Sequence, residues 1–179
     1  MAAIQGLTSF WRNLQLYMRK PESYRQWQQL LVSENGTVAI IIQSMQPSDI
    51  DAVARLPYSC VISDAIYAET DRPHPRMYGA FPHFLHDYGV MRKVLPIPEA
   101  IAKMTGIPAK RMKIKDRGFL KEGYRCDINI FDLNELKGQA TYMNPTEYAT
   151  GIRYCIINGK IAVRDDVVLN QSSGMLLKL

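Results

Sequence analysis

An α/β fold that closes in an antiparallel β tail is what this sequence predicts, and three observations predict it. Helical and strand-like apolar patterns alternate in short succession through the N-terminal part of the chain. Beyond Lys115 the period falls to two, with Cys126, Ile128 and Ile130 alternating with Asp127 and Asn129. Asn158-Gly159 then separates two apolar runs, Ile152 to Ile157 and Lys160 to Val163, which is the pattern of a type I′ hairpin.

In chain order, Phe10, Trp11, Leu14, Tyr17 and Met18 recur at helical spacing after Thr8-Ser9, and Pro21 ends that helix. Tyr24, Trp27, Leu30 and Leu31 mark the buried stripe of a second helix, closed by Asn35-Gly36. Val38 to Ile42 is an unbroken apolar run, as in a strand covered on both faces. Pro47 opens a third helix with Asp49 and Asp51 placed against its dipole, Ile50, Val53, Ala54 and Leu56 facing inward, and Pro57 ending it. Ser59 to Ser63 reads as the next strand, with Asp64 at its carboxyl end, where α/β folds gather ligands. A polar loop carries His74-Pro75-Arg76 to a Tyr78-Gly79 corner. Phe84, Leu85, Tyr88 and Met91 then predict a helix, and Ile97 to Met104 another that stops at Thr105-Gly106. Asn170 to Leu179 reads as a loose end.

Composition narrows the class further. At 179 residues, 47% hydrophobic and 22% charged, the chain suits a soluble globular protein with one substantial core. No apolar run is long enough to span a bilayer and no signal-peptide core is evident, so a cytoplasmic protein with no membrane partner is expected. Cys60, Cys126 and Cys155 are widely spaced and lie in or beside apolar runs, which suits reduced core thiols and neither a disulfide frame nor a thiolate zinc site. The excess of 22 Lys and Arg over 17 Asp and Glu is concentrated between Lys103 and Arg125, around Lys110, Arg111, Lys113, Lys115, Arg117 and Lys121. Such a cluster attracts phosphate, yet without aromatic platforms or a nucleic-acid motif it reads better as a solvated helix end, and nucleic-acid binding is disfavoured.

The segments "MQPSDIDAVARLPYSCVISDA", "HPRMYGAFPHFL", "IPEAIAKMTGIPAKRMKIKDRGFLKEGYRCDINIFD" and "GIRYCIINGK" follow one another in an order that resembles the closing part of the N-acyl-D-amino-acid deacylases (D-aminoacylases). These are a branch of the metal-dependent amidohydrolases. The likeness runs from about Glu34 to Val163; the His-Pro-Arg-x-Tyr-Gly-x-Phe-Pro element points to the branch, and the "MTGIPAKR" and "CDINIFD" stretches to the wider superfamily. The resemblance implies the C-terminal part of a (β/α)8 TIM-like barrel over residues 1–115, followed over 116–179 by strands of a small β-sandwich domain. A complete barrel needs about 250 residues, so only its last βα units fit here.

The resemblance also implies roles. Asp64 matches the Asp at the end of the eighth barrel strand, the catalytic carboxylate that takes a proton from a metal-activated water and passes it to the departing amine. Asp64 is also a possible contributor to the metal site. Arg76 matches the arginine that grips the substrate carboxylate, a task suited to a planar bidentate fork. His74, Tyr78 and Gly79 shape the loop between them. From the residues alone, Asp64 can equally cap the loop after a strand, and Arg76 can be a surface arginine held by Glu69 or Asp71. His83 and His86 are better explained as a polar helix face than as metal ligands.

Departures from the family pattern bear on activity. Ser63-Asp64-Ala65 stands for the family's Ser-Asp-Gly, Cys126 for its usual alanine, and His83 for a frequent arginine. The family's zinc is held by a His-x-His pair, a bridging ligand and later histidines, whereas this chain has 3 histidines, all beyond Asp64. A family zinc site therefore cannot be assembled from this chain alone. The expectation is the C-terminal portion of a zinc-dependent hydrolase of N-acyl-D-amino acids, inactive by itself. The alternative is a non-catalytic barrel remnant that binds the missing barrel half or self-associates through uncovered edges.

Overall fold

The computed structural model describes residues 23–33, 35–36, 45–65, 73–170 and 172–177. The expected helix around Phe10 to Met18 and the expected strand from Val38 to Ile42 lie outside them. The chain divides into two compact units, Met1–Met45 and Gln46–Leu179. In the first, helix α1 (Tyr24–Ser33) forms where the apolar spacing places it. Asn35 and Gly36 close it in the left-handed region, with φ of 49° and 75°, and the Gly36 N–H donates to the Leu31 carbonyl at 2.8 Å. Of the predicted stripe only Leu30 is buried; Tyr24, Trp27 and Leu31 are exposed.

The second unit begins with α2 (Pro47–Arg55), with Pro47 in its first turn and Asp49 near its positive end. Asp51 is not a dipole partner: its carboxylate takes two hydrogen bonds from Arg92, at 2.7 and 2.5 Å. Only Ala54 reaches the core, and Ile50, Val53 and Leu56, expected inside, are exposed, because an amphipathic stripe is buried only where another element covers it. Ser59 to Ser63 is not a strand either. Strand structure requires a neighbouring ladder, and among the described residues this segment makes a single backbone tie of that kind, from the Val61 N–H to the Lys103 carbonyl at 3.0 Å.

Helix α3 (Arg76–Phe84) starts well ahead of the expected Phe84, so Tyr78 and Gly79 stand in a helix and not in a loop corner. Pro82, inside it, supplies no N–H for the preceding turn, and the chain passes into a π-helical turn, Leu85–Met91. Helices α4 (Ile97–Met104) and α5 (Gly106–Arg111) meet at Thr105, where the sequence places the break. The tail is an antiparallel meander of β1 (Ile128–Phe131), β2 (Ile152–Ile157), β3 (Lys160–Arg164) and β4 (Val167–Val168), paired in that order. Asn158 and Gly159, at φ 50° and 78°, make the predicted turn between β2 and β3. Arg117 braces it, pairing with Asp127 and donating to the Asn158 side-chain oxygen at 2.7 Å.

Helices and sheet share one core. Ala54, Leu85, Val94, Leu95, Ala100 and Leu136 are buried together, with Phe131 and Ile152 of the sheet packed against them. Lys103 is also inside, 1% exposed, and its ammonium donates to the Leu56 carbonyl at 2.6 Å and the Ser59 hydroxyl at 3.1 Å. With its own carbonyl on Val61, Lys103 ties the segment leading to Asp64 onto α4. Lys103→Met preserves the length of the stem but removes the charged donor, leaving the Leu56 carbonyl to the Ser59 hydroxyl at 2.9 Å and the Ser59 N–H at 3.1 Å. We expect a loss of about 1.5–3 kcal/mol in urea unfolding, the contribution of hydrogen bonds from a charged group; unchanged stability would show that the tie contributes nothing.

Candidate active site

Asp64 ends the extended segment in a left-handed conformation, φ 49°, which turns its side chain out of the line of the chain. Its carboxylate meets the Arg76 guanidinium, with Nη2 to Oδ2 at 2.8 Å, and the Arg76 Nε–H donates to the Asp64 carbonyl at 2.9 Å. The two side chains are 62% and 36% exposed, so the pair is open to solvent and exchangeable, worth about 0–1 kcal/mol. Ile66 to Arg72, which connect the two, lie outside the described residues, as do the alternative partners Glu69 and Asp71.

His74 stands beside this pair. Its Nδ1 accepts the Arg76 backbone N–H at 3.1 Å, and its Nε2 lies 3.0 Å from the Tyr142 hydroxyl. Burial holds the imidazole below its ordinary pKa, the Arg76 cation adds to this, and the Asp64 carboxylate acts the other way. Gly79, expected at a loop corner, is helical. It lies buried in α3, with its carbonyl facing Gly138: a Cβ on Gly138 would come within 3.0 Å of the Gly79 oxygen. Tyr78 packs edge-on against Tyr148, ring centroids 5.5 Å apart. The connection between β1 and β2 thus clasps α3 at Gly79 and Tyr78, and His74 just ahead of it.

His83 and His86 both turn to Asp87, at 3.3 and 3.0 Å, away from any common centre with Asp64. Among the described residues no group of three or more His, Cys, Asp or Glu side chains is placed to hold a metal ion. The side chains at the site do not fit one by themselves, since the Asp64 carboxylate is on Arg76 and both nitrogens of His74 are engaged. A cavity of about 310 Å³ opens elsewhere, between α3 and the sheet, lined by Tyr78, Phe81, Leu85, Phe131, Ile152 and Cys155 among others. Burial pushes the Cys155 thiol upward, so it lines the cavity as a neutral group. All three cysteines are free, but Cys126, expected in the core, is exposed, because it precedes β1 at the edge of the sheet.

The basic stretch is not a single face. Arg111 donates to the Tyr58 carbonyl, Lys110 lies over Phe119, Lys121 over Tyr124, and Arg125 pairs with Asp116. Lys103 and Arg117 are used internally. Among the described residues no helix is long and apolar enough to cross a membrane. In the sequence Lys103 counts only within the basic stretch, and Tyr142 sits in no motif; only the fold brings them to the segment and the histidine they hold.

An α/β unit with an antiparallel sheet at its C-terminal end, carrying an Asp and an Arg at an open junction, is the class that these observations define. The chain belongs to the amidohydrolase family, whose model matches residues 39–163. Within it the similarity is to the D-aminoacylase branch. The chain is 31% identical over 147 residues to the D-aminoacylase of Alcaligenes xylosoxydans xylosoxydans, covering 82% of this chain and 30% of that protein. It superposes on the crystal structure of a D-aminoacylase described as defining a novel subset of amidohydrolases, with a TM-score of 0.68 and 32% identity over 73% of this chain and 27% of that one. The N-acyl-D-glutamate deacylase of Bordetella bronchiseptica, complexed with zinc and a phosphonate that mimics the tetrahedral intermediate, matches at a TM-score of 0.63 and 30% identity, over 66% of this chain and 25% of that one. The chain therefore spans less than a third of the length of these relatives.

Proposed function

We propose that this chain is the C-terminal portion of an amidohydrolase that hydrolyses the linear amide of N-acyl-D-amino acids to a carboxylate and a free D-amino acid. The observation that carries this reading is the contact between Asp64 and Arg76, at an open position, in a chain of this family. An N-acyl amino acid presents a carboxylate and an amide side by side. Arg76 grips the carboxylate as a fork and so brings the amide to Asp64. Asp64 accepts a proton from the attacking water and returns it to the nitrogen as the C–N bond breaks. Residues 1–115 supply the last βα units of a (β/α)8 barrel and 116–179 the closing strands of a small β-sandwich. Any zinc is held by residues outside this chain, which by itself is inactive.

A chimera tests the reading: this chain is fused to the part of the Alcaligenes D-aminoacylase that it does not cover, and hydrolysis of N-acetyl-D-amino acids is followed with zinc present. The chimera is expected to turn over the D-enantiomer, and the isolated chain to show no activity above background. Activity in the isolated chain would overturn the reading. A folded but inactive chimera would favour a non-catalytic remnant that binds a partner or itself, a reading to which the exposed Trp27, Ile62, Leu120 and Leu176 lend support.

A further inference from the structure

We infer that Tyr142 is a positioning residue for Arg76: its hydroxyl, acting through His74, holds the first turn of α3 in the geometry that presents the guanidinium to Asp64. The inference rests on the proposed function only in taking Arg76 as the carboxylate clamp.

Arg76 is the first residue of α3, where backbone N–H groups lack intrahelical partners. The preceding residue, Pro75, makes no side-chain cap. His74 takes over that task by accepting the Arg76 N–H at Nδ1. A backbone N–H only donates, so Nδ1 must carry a lone pair, and the proton of the neutral ring is on Nε2. Nε2–H then donates to the Tyr142 hydroxyl, 3.0 Å away. The opposite tautomer would set one N–H against another at the helix terminus. The Arg76 N–H thus selects the tautomer, and Tyr142, accepting from its Nε2–H, fixes the ring in the orientation that caps α3 and braces it edge-on, with centroids 5.2 Å apart and planes at 76°.

Tyr142 is itself fixed. The turn that bears it is closed by the Thr141 N–H on the Asn144 carbonyl and by the Asn144 N–H on the Thr141 hydroxyl, both at 3.0 Å. Just before it, the chain lies against α3, where a Cβ on Gly79 would meet that of Ala140 at 3.5 Å. A residue of the β1–β2 connection, far in sequence from Asp64 and Arg76, thereby fixes the direction in which Arg76 leaves the helix.

The test uses the full chain, ¹⁵N-labelled, as wild type, Tyr142→Phe and Arg76→Gln, with N-acetyl-D-alanine as the probe. Phe keeps the ring contact and deletes only the hydroxyl. Wild type should show His74 as the single Nε2–H tautomer. Tyr142→Phe should keep that tautomer but free the ring, speeding hydrogen exchange at the Arg76 amide about fivefold and weakening probe binding about threefold, as expected for one partly exposed hydrogen bond, with an unchanged thermal midpoint. An Nδ1–H tautomer in wild type, or a Tyr142→Phe variant with unaltered Arg76 exchange, overturns the inference. If wild type does not bind the probe, or Arg76→Gln binds it as well as wild type, the clamp reading falls instead, and the tautomer and exchange data still decide the role of Tyr142.

Discussion

Asp64→Asn in the active chimera should lower kcat about a thousandfold, within the range that a positioned general base contributes. Asn is nearly isosteric with Asp, so the left-handed turn at φ 49° survives, and Asn tolerates that region well. What is lost is the proton acceptor for the attacking water. KM for N-acetyl-D-alanine should stay level or fall. The reason lies at Arg76, whose Nη2 is engaged by the Asp64 carboxylate at 2.8 Å and must be given up to a substrate carboxylate. Removing the internal competitor leaves that edge freer. Turnover within tenfold of the parent would exclude Asp64 as the base; a lost kcat with a KM raised by more than tenfold would assign it to substrate binding instead.

This split outcome depends on a geometry that no local pattern contains. Asp64 and Arg76 were found by motif, each separately, and their pairing comes from the turn at Asp64 and the start of α3. Elements governed by neighbours in sequence were legible: α2 by Pro47, α4 by its spacing and the Thr105-Gly106 break, and the β2–β3 turn by two residues that both accept positive φ. Elements governed by distant partners were not. Ser59 to Ser63 has a strand's composition, yet with one ladder-like hydrogen bond among the described residues it stays irregular. Pro75 and Gly79 read as loop residues, but Pro75 stands at the helix N-cap and Gly79 serves close packing against Gly138. Tyr142 lay in a polar stretch without periodicity, where only tertiary contact gives it a role.

Gly151 is where the clasp around α3 is most vulnerable, and Gly151→Ala should destabilise the chain by about 3–4 kcal/mol, a large share of the 5–15 kcal/mol typical of a folded domain. Two costs combine. At φ 86° a side chain is strained, by about 1–2 kcal/mol. The new Cβ would also lie 2.5 Å from the Leu136 nitrogen, 2.6 Å from the Glu135 carbonyl carbon and 2.7 Å from the Leu136 Cα. These are backbone atoms that no rotamer change can move aside, so overpacking adds about 1–3 kcal/mol. Yielding there would displace buried Leu136 and disturb the Gly151 and Ile152 N–H bonds to the Asp166 carboxylate, at 3.0 and 2.7 Å. Gly159→Ala separates the two costs: φ is 78°, but nothing lies within 4 Å of its Cβ, so only the strain of about 1–2 kcal/mol should appear. Urea unfolding of both variants reads the difference. Equal losses at the two positions would mean that the chain between Glu135 and Leu136 can shift freely, and that the β1–β2 connection does not rigidly clasp the helix carrying Arg76.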